Sequence, residues 1–153
     1  MAIFIIPVNP QMSDIGKVSQ LFREDGSILW IHKKRYPKYH EGDIIYMCIT
    51  GGIRKIRFKV RVEGTNIQAT ADDLKKYTWI KKSDWKKQIE NNCNDKFTLI
   101  EELDKEQSRK LSRSCLNANG FQGFERRLPT EITDNDALIR YIESVINRGV
   151  EEV

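Results

Sequence analysis

The chain has 153 residues, of which 39% are hydrophobic and 31% charged, and its 26 basic and 22 acidic side chains give a formal net charge of +4. This length and apolar content suffice for one buried core and leave little room for a second, so we expect a single domain over residues 1–153. The charge is compatible with a polyanionic partner but does not require one.

The charges are unevenly distributed along the chain. Residues 17–61 contain eleven Lys or Arg and four Asp or Glu, whereas residues 130–153 contain two Arg and six acidic residues. The early region therefore favours phosphate binding, and the last region is typical of a solvated acidic segment.

Cysteine usage and apolar runs indicate a soluble, cytoplasmic protein. Cys48, Cys93 and Cys115 are odd in number and widely spaced, and no C-x-x-C pair suggests a metal or redox site. The apolar run at 3–6 is stopped by Pro7 and is too short for a signal peptide, and no run approaches the roughly 18 apolar residues of a membrane span. We expect a reduced chain with no metal, no cofactor and no membrane partner.

Short β-rich runs bounded by turn residues predict strands at 3–8, 28–32, 43–50 and 53–62. In the last run apolar residues alternate with basic ones, Arg57 and Lys59 among them, so one face is apolar and the other strongly basic. Gly51-Gly52 fits a tight hairpin turn between the third and fourth runs, because glycine reaches positive φ without steric cost. Weaker apolar runs at 77–80 and 97–100 predict two further strands.

Capping residues and apolar periodicity predict helices after the first strands. Their starts are marked by Ser13, by Thr70 with Asp73, by Asp104 with Gln107, and by Thr133 with Asp136. The third helix is expected to end near Asn119-Gly120, and the last, with an apolar stripe over 138–146, at Gly149. Because strands and helices do not alternate regularly, the sequence indicates an α+β fold with a mixed or antiparallel sheet.

The sequence contains none of the common catalytic motifs. There is no G-x-S-x-G, P-loop or H-E-x-x-H pattern, and the two histidines are His32 and His40. Cys48 could act as a nucleophile with one of them, but its place in an apolar strand favours a buried structural thiol. We therefore expect a binding protein rather than an enzyme, and no catalytic residue is assigned.

Aromatic and basic residues are interleaved in two segments, 30–39 and 75–87. Bases stack on flat side chains while Lys and Arg contact phosphates, so this mixture favours nucleic-acid binding. In isolation, each segment is also typical of a core tryptophan beside a solvated basic face. A glycine-rich loop at 119–129 adds two aromatics and two arginines, and such a loop either carries recognition or merely connects two helices.

The order of these features resembles the EVE branch of the PUA-like superfamily, whose relatives include the YTH and ASCH domains. The resemblance rests on the opening strand and its Asn-Pro end at 3–10, Trp30, the Gly-Asp strand at 41–48, the hairpin at 50–60 and the loop at 120–128. Cys48 stands where the family has a tyrosine, and Gly51-Gly52 replaces its usual proline-containing turn. The resemblance implies a PUA-like mixed β pseudo-barrel flanked by short helices and a C-terminal helix.

The resemblance also implies a pocket at one mouth of the barrel, in which a flipped or single-stranded base, often a modified one, is sandwiched by an aromatic ring. Carried over by position, the ligand-binding residues are Asn9, Trp30, Thr50, Gln122, Arg126 and Arg127. The nucleic-acid backbone is expected to contact the basic residues Lys33, Lys34, Arg35, Arg57 and Lys59. Extruding a base costs a few kcal/mol, and stacking on an aromatic returns about 1–3 kcal/mol, so Trp30 is the expected stacking residue.

The main hypothesis is a binding module that recognises a modified base in DNA or RNA, with any effector supplied by a separate protein chain. One alternative is a small-molecule or nucleotide binder that uses the same pocket. Another is an ASCH-like enzyme acting on RNA or on an acylated nucleoside, with Lys33, Lys34 or Asp43 as candidate groups. A protein adaptor with aromatic and basic surfaces is the fourth interpretation.

Overall fold

A computed structural model describes residues 1–52, 54–76, 78–81, 90, 92–123 and 127–147 of the chain. Within these ranges the strands are β1 Ile3–Val8, β2 Ser27–Ile31, β3 Ile44–Ile49, β4 Lys55–Ile67, β5 Asn94–Glu102 and β6 Thr130–Glu131. The helices are α1 Ile15–Asp25, α2 Ala71–Lys75, α3 Lys105–Lys110, α4 Arg113–Ala118 and α5 Asp136–Ile146. The predicted α+β fold is confirmed.

The strands form one mixed sheet in the order β2-β5-β4-β3-β1-β6. β1 and β3 are parallel, with Ile3 opposite Ile44, and the other pairs are antiparallel. The predicted hairpin is confirmed as the β3–β4 pair, which contains a bulge after Met47. In the described part of the chain β2 and β6 stand at opposite ends of the sheet, so the pseudo-barrel is open.

Most strand predictions are confirmed. The runs at 3–8, 28–32 and 43–50 correspond to β1, β2 and β3, and the run at 97–100 lies inside β5. The run at 53–62 belongs to the longer β4, although Ile53 lies outside the described residues. A strand at 77–80 is wrong for residues 78–80, because they form a turn in which Ile80 makes an isolated bridge to Ser13. Tyr77 lies outside the described residues.

Helices cover both faces of the sheet, and each face has its own apolar cluster. The first cluster joins α1 to strand residues such as Phe4 and Phe58, with Val18 and Phe22 of α1 buried. The second joins the other face to α3, α4 and α5, with Leu138 and its neighbours on the apolar stripe of α5 buried. The sheet therefore lies between two layers, and neither face is open along its whole length.

The basic face of β4 is only partly exposed: Arg57 and Lys59 are half-buried, whereas Arg61 is exposed as the alternation suggested. Phe58 and Val60 are buried on the α1 side, as predicted. On the other side Lys59 forms an ion pair with Glu143 of α5, and the Arg57 guanidinium donates to the Leu103 carbonyl at 3.0 Å. A period of two predicts which residues share a face, but not that a distant helix covers it.

The helix starts follow the predicted caps closely. Thr70 with Asp73 and Asp104 with Gln107 form capping boxes, as predicted. The cap of α1 is Asp14, one residue after the predicted Ser13, and the cap of α5 is Asn135, two residues after the predicted Thr133. Gly149 lies outside the described residues. No helix in the described ranges is both long enough and apolar enough to cross a bilayer.

The predicted helix from Asp104 to Asn119 is two helices, α3 and α4. Ser112, between them, bridges to Lys55 at the start of β4, and the Ile56 amide donates to the Leu111 carbonyl at 3.2 Å. Pairing with the sheet therefore interrupts the helical ladder at this point.

Candidate ligand-binding cavity

A cavity of about 400 Å³ opens where β1, β2 and β3 end. Val8 and Asn9 at the end of β1 line it together with Trp30 of β2 and Thr50 after β3. In the sheet order β1 and β2 are separated by three strands, so the sheet must curve strongly to bring their ends to one cavity. The curvature brings the three strand ends to one opening.

Two stacked indoles form one wall of the cavity. The ring centroids of Trp30 and Trp79 lie 4.4 Å apart, with planes 4° from parallel. The Phe97 ring also lies near Trp30, with the centroids of these two rings 6.3 Å apart and their planes at 20°. Trp30 is 9% exposed and Trp79 3% exposed, so these rings contribute edges more than open faces to the cavity.

Asn9 places hydrogen-bonding groups at the rim. Its side-chain oxygen accepts from the Gln11 amide at 2.9 Å, and its carbonyl accepts from the Met12 and Ser13 amides at 3.0 Å. Among the described residues its side-chain amide nitrogen has no acceptor, and Asn9 is exposed, so this donor faces solvent. Across the rim the Thr50 hydroxyl donates to the Val8 carbonyl at 3.3 Å, which ties the ends of β1 and β3 together.

Gly51 meets Pro10 at the same rim. A β-carbon added at Gly51 would lie 2.4 Å from the Pro10 ring, well inside van der Waals contact. The turn after β3 therefore packs directly on the segment after β1, and the lack of a side chain at 51 makes this approach possible.

The charged residues that line the cavity are Lys33, Arg54 and Arg127, and no described acidic residue lines it. Lys33 and Arg127 are exposed, and neither has an acidic partner among the described residues. Arg127 has a φ of 54°, an uncommon conformation for a residue with a side chain. Lys81 lies close by, with its ammonium group 2.7 Å from the Pro10 carbonyl. The cavity therefore favours anions.

Half-buried His32, which begins the segment after β2, pairs with the buried carboxylate of Asp95. The His32 Nδ1 atom lies 2.7 Å from an Asp95 carboxylate oxygen. Burial raises the pKa of Asp95, and the hydrogen bond from His32 opposes that rise. The His32 ring also lies perpendicular to Tyr36 and Tyr39, at centroid distances of 5.8 and 5.2 Å. Tyr36 in turn lines the cavity.

The structure brings together part of the predicted site. Asn9, Trp30, Thr50, Arg127 and Lys33 all line the cavity. Five of the remaining predicted residues do not line it. Gln122 lies at a separate shallow depression, and Lys34 and Arg35 are exposed on the segment after Lys33. Arg57 donates to the Leu103 carbonyl and Lys59 pairs with Glu143 of α5, so both are engaged elsewhere on the sheet. The last predicted residue, Arg126, lies outside the described residues.

Sequence reasoning did not assign Trp79, Tyr36 or Arg54 to the site. Trp79 and Tyr36 fall in the two aromatic–basic segments, so interleaved composition was a usable signal for both. Arg54 lies just before β4, and only the return of the hairpin toward the end of β1 places it at the cavity.

The described residues contain no cluster of three or more His, Cys, Asp or Glu side chains suited to a metal ion. The cavity combines a partly buried aromatic wall, an exposed amide donor and cationic side chains. This arrangement suits a planar, polar ligand that carries negative charge.

Comparison with known proteins bears on the fold alone. No protein-family model matches the chain, and no curated protein matches it in sequence. A solved structure that is similar is the crystal structure of ASCH from Zymomonas mobilis, with a TM-score of 0.56 and 11% sequence identity over 93% of this chain and 94% of that chain.

This similarity supports the fold that the sequence suggested. The order of the strands and the placing of the helices give this chain the same overall fold as that solved ASCH structure. The EVE assignment stays a prediction, because no family model matches the chain and the likeness to this structure concerns the fold alone.

Proposed function

We propose that this protein is a nucleic-acid-binding module that holds one base, modified or unmodified, in the cavity at the ends of β1, β2 and β3. The observation that carries the proposal is the composition of that cavity: aromatic rings, the Asn9 amide and three cationic residues, with no acidic residue among its described lining. The ASCH-like fold agrees with it.

Size and charge support a nucleotide unit as the ligand. A volume of about 400 Å³ lies in the range of pockets that bind small molecules, and a base with its sugar fits this scale. Lys33, Arg54 and Arg127 line the cavity, and in this proposal they supply the cations that contact the phosphates next to the bound base. Asn9 supplies an amide able to hydrogen-bond to the edge of a base.

The proposal is tested by titrating the protein with labelled single- and double-stranded DNA and RNA, with and without common base modifications, at two salt concentrations. We expect tighter binding to single strands and a marked loss of affinity at the higher salt. Asn9→Ala is expected to reduce discrimination between modified and unmodified bases while leaving the salt dependence unchanged, because its contact is with the base.

Titration with free nucleotides distinguishes a nucleic-acid ligand from a small-molecule ligand. Mononucleotides that bind as tightly as oligonucleotides would assign the cavity to a nucleotide-binding role. Oligonucleotide binding that is weak and indifferent to Asn9→Ala and to Arg127→Ala would contradict the proposal, since the cavity would then not be the site.

A further inference from the structure

Among the described residues, three aromatic side chains line the cavity, and they differ in what they offer a ligand. Trp30 and Trp79 are buried and already stacked on each other at 4.4 Å, so a base cannot enter between them without separating the pair. Tyr36 lines the same cavity but is only half-buried. Stacking needs an accessible ring face, so this difference in exposure distinguishes the three residues.

We propose that Tyr36, rather than Trp30, is the residue on which the bound base stacks. This inference rests on the proposed function above and names the contact through which the cavity holds its ligand. Trp30 and Trp79 then form a rigid wall behind the base, while the edge of the base meets Asn9 and Thr50.

Two contacts hold Tyr36 in position, one through its backbone amide and one through its ring. Its amide donates to the Lys33 carbonyl at 3.0 Å, which closes a turn directly after β2. The His32 ring stands at 78° to the Tyr36 ring, with centroids 5.8 Å apart. The same turn carries Lys33, so the stacking ring and a cation for the neighbouring phosphate move as one unit.

His32 and Asp95 are positioning residues for this turn. The His32 amide donates to the Cys93 carbonyl at 2.9 Å, and its Nδ1 atom lies 2.7 Å from Asp95, whose side chain is 3% exposed. Backbone and side chain of His32 are therefore both held by the β5 side of the sheet. A ring fixed in this way limits the orientations open to Tyr36, and an ordered stacking residue binds at a lower entropic cost.

The test uses fluorescence anisotropy with a labelled single-stranded oligonucleotide of mixed base composition, together with melting curves for every variant. Tyr36→Ala is expected to weaken binding by about tenfold to a hundredfold, the range that loss of one base–aromatic stack produces. Tyr36→Phe keeps a ring and is expected to bind within about threefold of the unsubstituted protein. Tyr141→Ala removes a half-buried tyrosine from α5 and is the control, with unchanged affinity expected.

Rescue by a conservative substitution tests the positioning role. Asp95→Asn retains an oxygen that accepts from His32 and is expected to bind within about threefold of the unsubstituted protein, whereas Asp95→Ala is expected to lose affinity at temperatures where both variants remain folded. Equal affinities for these two variants would contradict the positioning role.

The outcomes separate this inference from the proposed function. Unchanged binding by Tyr36→Ala, together with loss of binding by Trp30→Leu, would overturn the stacking role of Tyr36 and leave the proposed function standing. No binding of any oligonucleotide by the unsubstituted protein would overturn both.

Discussion

Lys59 of β4 forms an ion pair with Glu143 of α5, in the layer between the sheet and its C-terminal helix. Tyr46 of β3 lies beside the same carboxylate. Burial of the tyrosine is the main cause of its raised pKa, and the negative charge of Glu143 raises that pKa further. The side of β4 that the sequence predicts to be a basic surface therefore contributes, through Lys59, to the contact between α5 and the sheet.

Removing one partner of this pair should destabilise the protein more than removing both. Lys59→Met leaves a partly buried carboxylate without its cation, and we expect a loss of about 1–3 kcal/mol, reduced by the partial exposure of Glu143. The double substitution Lys59→Met with Glu143→Leu is expected to recover most of that loss. Urea unfolding measures both values, and equal stability of the single and double variants would contradict the pairing.

Salt dependence separates the cations of the cavity from a cation elsewhere on the sheet. Lys33→Gln and Arg127→Gln should each lower the slope of log affinity against log salt by about 0.7, the value for one lost phosphate contact on a single strand. Arg61→Gln, on the same face as Lys59, is the charge-matched control and should leave the slope unchanged. An equal decrease in all three variants would indicate diffuse electrostatic attraction rather than a defined site.

The stacked tryptophans should be energetically coupled. Trp30→Leu and Trp79→Leu each remove one ring of the 4.4 Å pair, and a double-mutant cycle is expected to give a coupling free energy of about 0.5–1.5 kcal/mol. The free energies come from urea unfolding of the four proteins. Strict additivity would show that the pair is close in space without stabilising the fold.

Alkaline pH should destabilise the fold through its buried tyrosines. Burial first, and the Glu143 charge second, raise the pKa of Tyr46, so the native state keeps a proton that the unfolded chain loses above about pH 10. The stabilisation is complete below that pH and is lost as the pH rises further. From pH 9 to pH 11 the unfolding free energy of the unsubstituted protein should therefore fall more steeply than that of Tyr46→Phe, which has no hydroxyl to titrate at this position. Parallel decreases in the two proteins would contradict this.

Thiol reactivity should sort the three cysteines by burial. Cys48 is fully buried, and burial raises the pKa of its thiol to about 12, whereas Cys93 and Cys115 are partly exposed. At pH 8 we expect two thiols to react quickly with an aromatic disulfide reagent and the third only at the rate of unfolding. Mass spectrometry after partial labelling identifies the slow cysteine, and rapid labelling of Cys48 would show that the β3 layer opens readily.

Local features were predictable where a short sequence pattern has a local physical cause. The Thr70–Asp73 capping box, the β3–β4 hairpin and the buried stripe of α5 all depend on neighbours within a few residues. The parallel pairing of β1 with β3 could not be predicted in this way, since it depends on contacts about forty residues apart.

The difference between local patterns and long-range contacts also explains which residues of the candidate site could be predicted. Asn9, Trp30 and Thr50 were placed through a family resemblance that follows strand ends. Trp79 was expected in a strand, and its stacking on Trp30 depends on a turn that leads back to the cavity. Lys59 was assigned to a nucleic-acid surface because nothing near it in sequence indicates the carboxylate of Glu143, some eighty residues later.

The contact between Gly51 and Pro10 constrains how the cavity rim can change over evolution. Any side chain at 51 would enter the space of the ring at 10, so the two positions are not free to vary independently. In relatives of this chain we expect them to co-vary, with a bulkier residue at one matched by a smaller one at the other. A lineage that placed a side chain at 51 without a smaller residue at 10 would have to move the turn after β3 away from the end of β1. Thr50 would move with that turn, and the opening of the cavity would change shape.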